Sequence, residues 1–192
     1  MLTFNNVMLD GLLARSADDA RAEADQFEVD PHPDADLQAQ AVSLVTGRRV
    51  GVPQLCEECI WLDHLEIASA VNPRVELMFH VKTVMPAGFL VNYLPSAEFD
   101  VPLAIKGDRW VFTYAVDLGF EPGDVRARFL ADLEATGRYL ASLRDKEMAW
   151  AGSLADELAL RLSKRRLRME SVASRVSAIG YPTSDPEGVP SR

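Results

Sequence analysis

Trp150-Ala151-Gly152-Ser153-Leu154-Ala155-Asp156-Glu157-Leu158-Ala159-Leu160-Arg161-Leu162 lies within a reach, Asp124 to Ile179, that contains no proline. Along that reach Phe129, Leu133, Leu140, Leu143, Trp150, Leu154, Leu158, Leu162, Met169, Val172, Val176 and Ile179 return at helical spacing and fall close to one rotating stripe. Gly180-Tyr181-Pro182 then stops the pattern. The spacing predicts one helix of roughly fifty residues, about 75 Å long at 1.5 Å per residue. Gly137 and Gly152 each weaken it by about 1 kcal/mol relative to alanine without ending it, so a kink near Gly152 is expected. An αα-hairpin is the competing arrangement.

Upstream, Val7, Leu9, Leu12, Leu13, Ala17, Ala20, Ala24 and Phe27 approximate an i, i+3, i+4 pattern and predict an amphipathic helix over Phe4 to Phe27. Pro31 and Pro33 break it. A shorter helix is expected from Asp36 to Thr46, with Leu37, Ala41, Leu44 and Val45 inward and Gly47 as its stop. The middle of the chain is different in character. Ile60 to Leu62, Leu65 to Ile67, Val75 to Val84, Phe89 to Leu94, Phe99 to Ile105 and Trp110 to Val116 are short runs rich in β-branched and aromatic residues. Lys106-Gly107-Asp108-Arg109 is the clearest hairpin signal among them. Short strands without intervening helices make an antiparallel sheet or a small sandwich. The expected fold is therefore α+β, with a core over residues 1–122, a long helical arm over 123–182 packed on it, and a disordered tail over 183–192.

At 192 residues the chain holds one sizeable core, and a formal charge of −9 argues against nonspecific nucleic-acid or anionic-membrane binding by the whole surface. The charge is segregated. Asp18, Asp19, Glu23, Asp25, Glu28, Asp30, Asp34 and Asp36 crowd the N-terminal segment with Arg21 as the nearby base, whereas Arg161, Lys164, Arg165, Arg166, Arg168 and Arg175 gather late. Two solvated faces account for this; the sharper alternative is that the acidic segment docks on the basic end of the arm, or that each recruits a partner. No signal-peptide pattern and no membrane-spanning run is evident, so a cytoplasmic protein is expected.

Cys56-Glu57-Glu58-Cys59, with His64 and His80 downstream, has the residue types of a zinc site but lacks a second close ligand pair. A redox pair calls for an electropositive setting, and Glu57 and Glu58 oppose thiolate formation. Two reduced cysteines at a strand entry are the expectation, with no metal and no cofactor. Gly152-Ser153 lies in a helical pattern and lacks the strand that precedes a nucleophile elbow. Phosphate-binding glycine loops are missing from the sequence, and the three histidines offer little for a triad. A catalytic role is not expected.

The order of Val52-Pro53-Gln54-Leu55, Phe129, Asp132-Leu133, Tyr139-Leu140, Arg144, Trp150, Leu154, Arg165-Arg166 and Gly180-Tyr181-Pro182 resembles, over most of the chain, an N-terminal module of uncharacterised bacterial defence-associated proteins. In those proteins the module often precedes a nuclease-like or TIR effector domain. Similar sequences carry Asn after the aromatic residue where this chain has Ala151, and the cysteines stand outside the pattern. The resemblance implies a sensing or assembly half without the effector. The resulting expectation is a non-catalytic adaptor or regulatory subunit that assembles with itself or a separate effector through Trp150, Leu154, Leu158 and Leu162. The alternative is a nucleic-acid-binding module using Arg161, Lys164, Arg165, Arg166 and Arg168 as anion contacts.

Overall fold

The structure is a computed structural model and describes residues 3–4, 6–27, 36–67, 74–84, 94–95, 103–106 and 108–179. Its elements run β1 (Thr3–Phe4), α1 (Asn6–Gln26), α2 (Leu37–Thr46), β2 (Gln54–Ile67), β3 (Arg74–Val84), β4 (Leu94–Pro95), β5 (Leu103–Lys106), β6 (Arg109–Asp117) and α3 (Pro122–Ala178). The layout is α+β, with a four-stranded antiparallel sheet in the order β2-β3-β6-β5 and a long C-terminal helix. That helix runs for 57 residues through Gly137 and Gly152 without a break, so the single-helix reading holds. Pro122 occupies its first turn, where a missing N–H costs nothing. Among the described residues no helix is long and apolar enough to cross a membrane.

The chain forms two compact units, residues 1–16 with 49–150 and residues 17–48 with 151–192. This division differs from the boundary at residue 122 read from the sequence, because it falls inside both α1 and α3. In the first unit, one face of the sheet carries Val75, Leu77, Phe79 and Val81 of β3 opposite Val116, Tyr114, Phe112 and Trp110 of β6. Val125, Phe129, Leu133, Leu140 and Leu143 of α3, with Leu9 and Leu13 of α1, join them in one buried cluster. Their 3–4 spacing on α3 is what sets a single helix face on the sheet. The second unit is helical. Its buried residues are Ala17, Ala20 and Ala24 of α1, Leu37, Ala41, Leu44 and Val45 of α2, and Leu154, Ala155, Leu158 and Leu162 of α3.

Local signals explain several boundaries. Asp36 caps α2 by accepting from the Ala39 amide at 2.9 Å. Lys106 pairs with Arg109, which leaves a two-residue connection between β5 and β6. Other expectations need correction. Phe4 belongs to β1, paired parallel with β4, and not to the first helix. β2 starts at Gln54 and is one strand, interrupted by a register shift between Leu55 and Ile60. The expected strand residues 89–93 and 99–102 and the tail 183–192 lie outside the described residues.

Candidate functional site

The second unit is built on small side chains. Ala17, Ala20 and Ala24 recur on one face of α1, and such residues let helix axes approach closely. Leu154, Leu158 and Leu162 are 3%, 0% and 1% exposed. They are core residues within the chain, which corrects the expectation that they form an open interface. That expectation treated the sheet as the sole cover for the helix, whereas α1 beyond Ala17 and α2 supply a second one. Trp150, the fourth candidate, is half-buried against the core of the first unit.

Polar contacts seal this helical packing. Arg21 donates from Nε and Nη2 to the two carboxylate oxygens of Glu157, both at 2.8 Å. The hydrogen bond raises the Arg21 guanidinium above its ordinary range and holds the Glu157 carboxyl below its own. Gln38 donates to Asp156 at 3.0 Å, and Arg48 pairs with Glu23. Arg161 makes a two-pronged pair with Asp25, both distances 2.8 Å. Arg165 Nη1 lies 3.2, 2.7 and 2.8 Å from the carbonyl oxygens of Ala24, Asp25 and Phe27. α1 has no basic residue in its own last turn, and Arg165 supplies the positive group that its unpaired carbonyls attract.

The basic run is therefore divided in role. Arg161 and Arg165 are tied to the end of α1, where Asp25 is the residue of the acidic segment that meets this basic run. Arg166 lies 3.8 Å from Glu170 on the next turn. Lys164 and Arg168 are exposed. As a phosphate-binding face, the five candidates Arg161, Lys164, Arg165, Arg166 and Arg168 are not uniformly available.

One feature of α3 continues past the packed region. Leu158, Leu162, Arg165, Met169, Val172, Val176 and Ile179 follow one another at intervals alternating four and three. This alternation is the spacing of a heptad repeat, which sets a narrow stripe along one side of a helix. Up to Leu162 the seam is buried; at Arg165 it meets the end of α1. Beyond, Met169, Val172, Val176 and Ile179 are 46%, 59%, 38% and 67% exposed. The sequence reading placed these four on the stripe without naming them among the interface candidates.

The cysteine region is organised differently from expectation. Cys56 and Cys59 are joined by a disulfide with a Cα separation of 5.3 Å. Three residues of extended strand would span about 10 Å, so the irregular stretch after Leu55 brings the two together. The pair is thus oxidised here, correcting the reduced state expected. His64 lies opposite Leu77 and His80 opposite Trp61, which puts the two histidines on opposite faces of the sheet. His80 stacks on Trp61 at 5.0 Å, with the Arg109 guanidinium 5.4 Å from the indole centre. Among the described residues no three His, Cys, Asp or Glu side chains group as metal ligands.

Comparison of the chain with family models, with curated proteins and with solved structures returned no match.

Proposed function

We propose that this chain is a non-catalytic adaptor or regulatory subunit of the cytoplasm that assembles with a second copy of itself through Met169, Val172, Val176 and Ile179. The carrying observation is the exposed continuation of a buried heptad seam. In heptad terms Met169 and Val176 take the a position and Val172 and Ile179 the d position, with Arg168 and Arg175 at g and Ala173 at e. A parallel pair sets each Arg168 beside an Ala173, whereas an antiparallel pair would oppose arginines. Parallel self-pairing follows. Eight aliphatic side chains, at roughly 1.5–3 kcal/mol each when fully buried, exceed the lower range of the ~4–15 kcal/mol cost of association. The sequence resemblance supports placing such a subunit in a bacterial defence-type system, where a separate effector would be its client.

The test is sedimentation velocity of the full chain across a concentration series. Wild type is expected to shift from monomer to dimer. Val172→Asp with Val176→Asp should hold it monomeric while leaving its thermal unfolding midpoint at low concentration unchanged, because both side chains are exposed. A wild type that stays monomeric at hundredfold higher concentration would overturn self-pairing and move the reading to a separate partner protein.

A further inference from the structure

We propose that the first unit carries a binding site for a small amphipathic carboxylate, with an apolar body and a single negative head. A cleft of about 520 Å³ opens between the α3-facing side of β2 and β3 and the first turns of α3. That volume lies within the roughly 300–1,000 Å³ range of small-molecule sites. Its floor is aromatic and aliphatic: Phe79 and Phe129 stack with ring centres 4.2 Å apart, beside Leu77. At the mouth Leu62 and Leu130 remain 55% and 48% exposed. Their exposed apolar surface stays in water until something fills the space.

The head group is read from charge. Among the described residues Arg126 is the one charged side chain in the lining. It makes no ion pair, hydrogen bond or ring contact within the described residues, whereas the guanidinium of nearby Arg128 sits 5.2 Å from the Tyr114 ring centre. A lone guanidinium at the rim of an apolar cleft matches one carboxylate through two parallel N–H donors. Its single positive charge balances a monoanion and would leave half the charge of a phosphate dianion uncompensated. A medium-chain fatty acid anion has the required shape and charge: a chain for the floor and a monoanionic head for Arg126.

The experiment is calorimetric titration of the full-length chain with decanoate below its micellar concentration, with decanol as the uncharged analogue. Wild type is expected to bind decanoate saturably and roughly tenfold more tightly than decanol. Arg126→Gln, an exposed change, should remove that preference by weakening decanoate alone. Leu130→Trp should block both ligands by filling the mouth. Circular dichroism of each variant checks that it is folded. Absence of saturable decanoate binding to folded wild type would overturn the proposal. So would equal decanoate affinity in Arg126→Gln, or undiminished binding in Leu130→Trp. These outcomes are independent of self-pairing through Met169 to Ile179.

Discussion

Glu147 is 2% exposed, and both its oxygens accept from Arg49, whose Nε lies at 2.8 Å. A carboxylate removed from water depends on its partner far more than the pair contributes over an apolar substitute. Arg49 itself is 47% exposed, so Arg49→Met should cost about 1–3 kcal/mol in urea unfolding, the cost of leaving a buried acceptor without its donor. Adding Glu147→Leu to it should recover most of the loss, because no charge then remains buried. Tyr114 and Asp132 are a milder case: burial, and then the 2.6 Å hydrogen bond to Asp132, keep the Tyr114 hydroxyl protonated well above the usual phenol range. The Arg21–Glu157 pair sits nearer to water, with side chains 37% and 45% exposed, so its worth is below about 1 kcal/mol after screening. Since Glu157 is held below its ordinary value, its contribution is present above about pH 4.5 and fades as acid protonates the folded form. Glu157→Gln should thus be slightly less stable than wild type at neutral pH. As pH falls below the ordinary carboxylate value and through the lowered folded-state one, urea midpoints of the two should converge.

At the scale of elements, α1 is held at its C-terminus by a side chain from a different helix. Arg165→Met would leave the carbonyls of Ala24, Asp25 and Phe27 without that donor and should destabilise by roughly 1.5–3 kcal/mol, a loss typical of hydrogen bonds to charged groups. Hydrogen exchange should locate the loss in the last turn of α1. What could be read from sequence follows from the range of each signal. α3 was legible because no proline interrupts its stripe, α2 because Asp36 and Gly47 bracket it, and the β5–β6 hairpin because its turn residues are local. β1 was not, since two residues paired with a distant strand leave no periodic trace. The start of β2 was hidden because the Cys56–Cys59 stretch departs from alternation. The leucines at 154, 158 and 162 were correctly seen as needing cover, but nothing local to a helix says which other segment covers it. The cleft beside Arg126 was invisible for a related reason: it is space left between elements far apart in the chain.

For the whole molecule, self-pairing would make apparent thermal stability depend on protein concentration, as any association of folded chains does. Its salt response separates it from the nucleic-acid alternative. Parallel pairing would bury an apolar seam and oppose no arginine at 168 or 175 to another, so added salt should not weaken it. Phosphate binding by the same arginines would weaken. The interrupted β2 strand has a further consequence for how copies meet. β2 is an edge strand of its sheet, 14 residues long, and an edge of that length ordinarily offers a row of open amides and carbonyls to any passing strand. Here the bulge breaks the row, the Cys56–Cys59 link holds it broken, and the exposed carboxylates of Glu57 and Glu58 sit at the break. A second copy meets a regular edge shortened to Ile60–Ile67 instead of the full strand, which limits how far strand-to-strand addition can run along it.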